Sequence, residues 1–177
     1  MDPRDVVRLS KRLSYVLRHA PDSAGLALDA AGWVDVDEVL TALGVTRTDL
    51  EHVVATNDKR RFAFDDTGTR IRASQGHSVP VVLGYAAEPP PPELFHGTVE
   101  RFLPAVLAEG LRPGRRHAVH LSPDVETARR VGARRGRPVV LRVDAAGLAA
   151  AGAAFTRSAN GVWLVDAVPP RYLAVLG

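Results

Sequence analysis

Leu17-Arg18-His19-Ala20-Pro21 puts two adjacent cations where a basic amphipathic helix runs into a proline. Asp2 reads as the N-cap of that helix and Pro3 as its first helical residue. Val6, Leu9, Leu13, Val16 and Leu17 recur at helical spacing and form one apolar stripe, while Arg4, Arg8, Lys11 and Arg12 fall mostly on the other faces. Arg18 and His19 then admit two readings. They complement the negative C-terminal end of the helix dipole, or they offer two donors to an anion where the backbone turns away.

Downstream of Pro21, the stretches Gly25–Asp29 and Gly32–Val34 read as extended chain around a turn. A second helix is expected over 35–43, with Val36, Val39, Leu40 and Leu43 on one side and Gly44 as its stop. Thr48-Asp49-Leu50-Glu51 matches a capping box, which starts a third helix there and runs it to about Thr56. Residues 57–64 and 69–73 read as two strands around the turn Asp65-Asp66-Thr67-Gly68. Three short helices followed by a hairpin is the element order of a winged helix, a module that serves either nucleic acid or protein binding.

Glu88-Pro89-Pro90-Pro91-Pro92-Glu93 is a polyproline spacer. It suggests an N-terminal lobe over 1–86, a linker over 87–92 and a second lobe over 93–177. Beyond it short strands alternate with short helices. Strands are expected at 94–96, 118–121, 138–143 and 162–165, and helices at 104–109, 124–131 and 144–151. The fold class is therefore α+β, with a small mixed sheet in the second lobe.

Of the 23 basic residues 21 are Arg, the pI is near 9.8, and the net charge is only +3. Arg makes planar bidentate contacts with phosphate, so the excess suits a phosphate-rich partner. A GC-rich genome would produce the same bias. The absence of Cys excludes disulfides and thiolate chemistry. No apolar run approaches the roughly 18 residues of a membrane span, and no secretory signal follows Met1, so a cytoplasmic monomer away from membranes is expected.

Four stretches could carry chemistry. Lys59-Arg60-Arg61 is either a solvated charge run or a phosphate clamp in which strand alternation lets only one Arg face a shared site. Arg72-Ala73-Ser74-Gln75-Gly76-His77 leads a strand into a polar turn. His96-Gly97-Thr98 follows a strand end, where a glycine would let a ligand approach the backbone. In Arg116-His117-Ala118-Val119-His120-Leu121-Ser122, read as a strand, the two His face opposite sides, which argues against a shared metal, whereas Arg116 and His120 share a face. No Walker loop, dinucleotide fingerprint, H-E-x-x-H or nucleophile elbow is present.

Together, LSYVLRHAP, the GW pair at 32–33, NDKRRF, IRASQGHS, LFHGT, RHAVHLS, VGARRGRPVVL and NGVWL resemble the KptA family of RNA 2′-phosphotransferases, in order and over nearly the whole chain. The resemblance implies a winged-helix RNA lobe followed by an ADP-ribosyltransferase-like lobe that holds NAD as co-substrate. It implies transfer of an internal RNA 2′-phosphate to NAD through an ADP-ribosylated RNA. The products are nicotinamide, ADP-ribose 1″,2″-cyclic phosphate and 2′-hydroxyl RNA.

By that resemblance Arg18, His19, Arg61 and Arg116 are catalytic. His96, Gly97, Thr98, His120, Ser122, Arg134, Asn160 and Gly161 hold NAD, and Lys59, Arg72, Gln75 and His77 meet a tRNA-like strand; no metal is implied. Protein-modifying relatives place a His, a Tyr or Ser, and a Glu at the positions of His96, His120 and Val162. The missing Glu suits a phosphate acceptor, which needs no general base. Two alternatives stand beside this reading: a transferase that ADP-ribosylates terminal phosphates and stops there, and a non-catalytic winged-helix binder.

Overall fold

Asp2 accepts a hydrogen bond from Arg4 N at 2.7 Å and Pro3 occupies the first turn, so helix α1 (Pro3–Arg18) begins where its sequence signals place it. The structure, a computed structural model, describes residues 1–176 and divides into two units, Met1–Gly84 and the residues from Tyr85 on. Helix α1 buries Leu9, Leu13, Val16 and Leu17, four of the five stripe residues, and packs Val6 at the margin of the same core. It ends at Arg18, and the His19 N–H closes the last turn on Tyr15 O.

Strand β1 (Val34–Asp35) leads directly into α2 (Val36–Leu43), with Asp35 as N-cap and Gly44 (φ 63°) as the left-handed C-cap. Helix α3 (Arg47–Ala55) begins earlier than expected. The capping box is Thr46 with Asp49, not Thr48 with Glu51. The Thr46 hydroxyl accepts from Asp49 N at 3.2 Å, and the Asp49 carboxylate accepts from Thr46 N and Oγ1. Both spacings satisfy the box in sequence; starting at Thr46 places Leu50 and Val53 in the core.

Strands β2 (Phe62–Phe64) and β3 (Arg70–Ala73) form the hairpin, and β1 pairs on the other side of β3, giving the antiparallel order β1-β3-β2. Asn57–Arg61 is not strand, contrary to expectation. Asn57 starts a turn closed by Arg60 N on Asn57 O (2.9 Å), with Arg60 in the left-handed region (φ 41°). The alternation argument for Arg60 and Arg61 therefore has no strand to act on.

In the C-terminal unit, β4 (Glu93–Val99) and β6 (Pro138–Asp144) pair along their full length, from Glu93↔Asp144 to Val99↔Pro138, and β9 (Leu173–Val175) flanks β6. A second sheet comprises β5 (Val119–Leu121), β8 (Trp163–Val165) and β7 (Thr156–Arg157) in the order β5-β8-β7. Thus the expected small mixed sheet is two three-stranded antiparallel sheets. Alternating helices and strands in the sequence do not fix strand direction, which here depends largely on pairings between strands distant in sequence, such as Glu93↔Asp144 and Val119↔Val165. The sheets touch through Phe95 and Ser122, whose backbones exchange two hydrogen bonds (2.9 and 2.7 Å).

Helices α4 (Leu103–Glu109), α5 (Val125–Gly132) and α6 (Ala145–Ala150) complete the unit. The tripeptide His96-Gly97-Thr98 lies inside β4, not after it. A Cβ on Gly97 would overlap the carbonyl of Ala128, and one on Gly132 would lie 2.7 Å from Thr98 O. The two glycines thus let α5 lie backbone to backbone against β4, which is the physical reason for Gly97 at this position. Leu94, Leu141, Val143, Phe155 and Trp163 form the core. Among the described residues no helix is long and apolar enough to cross a membrane.

Candidate functional site

Three of the residues singled out in sequence, Arg18, His19 and Arg61, come together in the N-terminal unit. Arg18 Nη2 contacts Arg61 O at 3.5 Å, a long contact, and the glycine at 76 (φ 88°) lies against the Arg18 side chain. The Arg18 carbonyl accepts from Ser78 N at 2.8 Å, and the Ser78 hydroxyl is 2.9 Å from His19 Nδ1. The stretch Gly76-His77-Ser78 therefore holds the end of α1. Directing Nδ1 at Ser78 orients the His19 ring within the helix terminus.

Arg61 is fixed by Asn57. The Asn57 side-chain oxygen accepts from Arg61 N (3.3 Å) and lies 3.5 Å from Arg61 Nη1, while its amide donates to Ser10 Oγ on α1 (3.2 Å). Asn57 and Ser78 were not named as site residues from sequence, although they lie within the motifs NDKRRF and IRASQGHS. His19 and Arg61 line one cleft of about 450 Å³ that runs along α1 past Tyr15 and Lys11 to Val6.

The expected RNA contacts divide. Lys59 is exposed on the turn and Gln75 is half-buried. Arg72 stacks on Trp33, 4.5 Å from the ring centroid, and donates to Ala31 O and Leu83 O. His77 is only 3% exposed and packs toward Gly32. Its place after a polar Gln-Gly turn gave no local sign of that burial.

In the C-terminal unit, His96, Gly97, Thr98, Arg116, His120 and Arg134 line one cleft of about 510 Å³. Arg112, Arg115 and Arg135 join them and were missed in sequence; their only signal was membership of the runs RPGRR and ARRGR. Ser122 does not line this cleft, being bound into the Phe95 bridge, nor do Asn160 and Gly161. The Ser158 hydroxyl donates to Asn160 Oδ1 (2.6 Å), and Gly161 (φ 80°) closes that turn. Arg116 lies in a turn before β5, so strand alternation does not account for its sharing a cleft with His120.

His96 Nδ1 lies 3.0 Å from the His120 carbonyl, and His120 Nδ1 lies 2.9 Å from the Ala118 carbonyl. A carbonyl accepts only, so both rings carry the proton on Nδ1 and, when neutral, present Nε2 as an acceptor. Desolvation, then the charges of Arg135 and Arg116, hold the His96 pKa below 6.5 against the opposing His120 carbonyl. Arg116 is held below the usual guanidinium range by desolvation and by the like charges of Arg135 and Arg134. Its accessible surface is large, so desolvation is partial and the like-charge crowding is the informative part; an anion entering the cleft would relieve it.

Two-dimensional imidazole ¹⁵N NMR should find His96 as the Nδ1–H tautomer, titrating below 6.5. A midpoint at or above that value would refute the assignment. Because the folded midpoint is the lower one, the unfolded chain takes up this proton first. The His96 contribution to stability is therefore full above about pH 6.5 and is lost as pH falls through the folded midpoint.

Among the described residues no group of three or more His, Cys, Asp or Glu could hold a metal ion. The chemistry on offer is hydrogen-bond donation to anions by guanidinium groups, with the His96 imidazole accepting from a hydroxyl.

Residues 4–167 match the family model described as RNA 2′-phosphotransferase, Tpt1 / KptA family. A protein of Streptomyces coelicolor named "Probable RNA 2′-phosphotransferase" is 58% identical over 98% of this chain and 97% of its own length. Proteins of the same name from Streptomyces griseus and Agrobacterium fabrum are 54% and 56% identical, covering 100% and 94% of this chain and 100% and 92% of theirs. With a family match spanning both units and relatives aligned end to end, the chain belongs to the RNA 2′-phosphotransferase, Tpt1 / KptA family.

Proposed function

We propose that this protein is an NAD-dependent transferase that removes an internal RNA 2′-phosphate through an ADP-ribosylated RNA, leaving 2′-hydroxyl RNA. The observation that carries the reading is the grouping of Arg18, His19 and Arg61: the Arg18 guanidinium reaches the Arg61 carbonyl, and His19 and Arg61 line one cleft beside α1. A phosphate dianion is already a competent nucleophile, so the protein has to hold it and spread its charge rather than deprotonate it. Arg donors suit that task, and they act equally on the charge that develops when the phosphate is later attacked. His19 is the group of this set that can exchange a proton near neutrality, as acid or base in the second step. The family resemblance also assigns a role in the reaction to Arg116 of the C-terminal unit.

The arginine-lined cleft of the C-terminal unit fits NAD in donor chemistry and in scale. Arg134, Arg135 and their neighbours suit the pyrophosphate, and the Nε2 acceptor of His96 suits a ribose hydroxyl. As co-substrate, NAD supplies an electrophilic ribose carbon whose leaving group is nicotinamide. The element order of the first unit, with its β2–β3 hairpin, supports a winged-helix reading, and Lys59 on the exposed turn supports contact with the RNA backbone. Two small antiparallel sheets around a cleft are compatible with an ADP-ribosyltransferase-like lobe.

The test is incubation with NAD and a short RNA bearing one internal 2′-phosphate, following both RNA and nucleotide. Nicotinamide, a cyclic ADP-ribose phosphate and 2′-hydroxyl RNA are expected. A stable ADP-ribosylated RNA would indicate a transferase that stops after the first step. Unchanged RNA under conditions where NAD binds would overturn the proposal.

A further inference from the structure

Lys11, Tyr15 and His19 are spaced four residues apart, so they rise along one face of α1 in steps of about 6 Å. All three line the cleft between α1 and the end of α3, which closes on Arg61. Tyr15 is 55% exposed, unusual for an aromatic residue on a helix whose other large apolar side chains are mostly buried. Its ring centroid lies 6.4 Å from that of His19, with the planes inclined at 51°. An aromatic face thus lies one helical turn from the imidazole to which the phosphate chemistry is assigned.

We propose that this cleft is a nucleobase subsite, in which an unpaired base of the RNA strand within one nucleotide of the 2′-phosphate stacks on Tyr15. The inference rests on the reading of the chain as an RNA 2′-phosphotransferase and deepens it. Sequence-tolerant recognition of a single strand combines an aromatic platform for the base with cations that follow the backbone. Here the platform is Tyr15, and the cations are Lys11 on one side and His19 and Arg61 on the other. Asp58 is the one carboxylate along the lining, so the charge balance favours a polyanion. The walls are the apolar Val6, Val7 and Val53, with the hydroxyl of Ser14 between them. A cleft of about 450 Å³ is on the scale of a nucleotide rather than of a protein partner. A substrate unpaired at the phosphorylated site follows, since a base held in a duplex could not reach the ring.

The experiment compares wild type, Tyr15→Ala and Tyr15→Phe on the 2′-phosphorylated RNA. It repeats the comparison on strands with an abasic residue at the phosphorylated nucleotide or at either neighbour. KM for RNA is measured with NAD, and RNA binding by fluorescence anisotropy without it. Tyr15→Ala should raise KM roughly 5- to 150-fold, the range of one base–aromatic stack, while Tyr15→Phe keeps the ring and restores the wild-type value. One abasic position should cost wild type a similar factor and cost Tyr15→Ala nothing further. Because Tyr15 is exposed, the unfolding midpoint of the variants serves as the control for folding.

Turnover with KM unmoved by Tyr15→Ala, or abasic and Tyr15→Ala losses that multiply in full, overturns the subsite and leaves the enzymatic reading intact. Absence of turnover alongside a Tyr15-dependent, base-dependent anisotropy signal upholds the subsite and rejects the reaction. Absence of both rejects the two together.

Discussion

Arg61→Ala is expected to slow 2′-phosphate removal by roughly 10²- to 10³-fold, the cost of losing one positioned donor to a developing anion. Its fold should survive. Arg61 contributes to the N-terminal unit mainly through its backbone: its carbonyl accepts from Ser74 N (2.8 Å) and its N–H donates to the Asn57 side chain. Alanine retains both, while the 3.5 Å guanidinium contact with Asn57 is removed. The loss should fall more heavily on the second step than on the first. In the proposed mechanism the 2′-phosphate brings its own nucleophilicity to the first attack, whereas in the second it is the electrophile and needs its charge stabilised throughout.

A time course should therefore show ADP-ribosylated RNA building up in Arg61→Ala, and likewise in His19→Ala, where the group able to deliver the proton is missing. Equal slowing of both steps would count against this division of labour. Arg61→Lys should not restore the rate, because an ammonium keeps the charge but not the planar pair of donors.

Local features were readable wherever one side chain dictates one backbone geometry. Asp2 with Pro3, and Gly44, each mark a helix end that the structure reproduces, because a cap acts on the turn next to it. The third cap was displaced because Thr46 and Thr48 each have an acid three residues on, and packing of Leu50 and Val53 chose between them. Turns were harder. Residues 57–61 alternate charge and apolarity poorly, yet it takes the Arg60–Asn57 backbone bond and the Asn57 side-chain bonds to reveal a turn that holds Arg61. Strand direction in the C-terminal unit depends on long-range partners and left no local trace.

The same division holds for the site. Arg18 and His19 were visible because a cationic pair before a proline is locally unusual. Arg112, Arg115 and Arg135 were hidden by an arginine-rich composition in which one more guanidinium carries no signal. The burial of His77 left no local sign because burial is a tertiary property. Tyr15, the residue on which the base subsite depends, looks in sequence like any helical aromatic; only its exposure beside His19 sets it apart.

Gly97→Ala separates the two accounts of the His96-Gly97-Thr98 stretch, and its expected effect on stability is the largest in the molecule. If the glycine serves ligand approach, alanine should leave the unit folded and weaken NAD binding alone. The packing against α5 predicts otherwise. The added methyl meets a main-chain carbonyl, Ala128 O, in the middle of a helix. A flexible side chain could swing away, but this carbonyl can move only if α5 lifts from β4, and Gly132 on the same helix is just as closely applied to Thr98. Overpacking usually costs about 1–3 kcal/mol, and a clash between two backbones belongs beyond that range, at ~4 kcal/mol or more. The chain has one Trp in each unit, so a Trp33→Phe background leaves Trp163, in the C-terminal core, as a fluorescent reporter of that unit alone. Urea unfolding should then show the Trp163 transition moved to much lower denaturant or lost, with the N-terminal unit still folded. An unmoved Trp163 transition together with weakened NAD binding would return Gly97 to the ligand and remove the packing explanation.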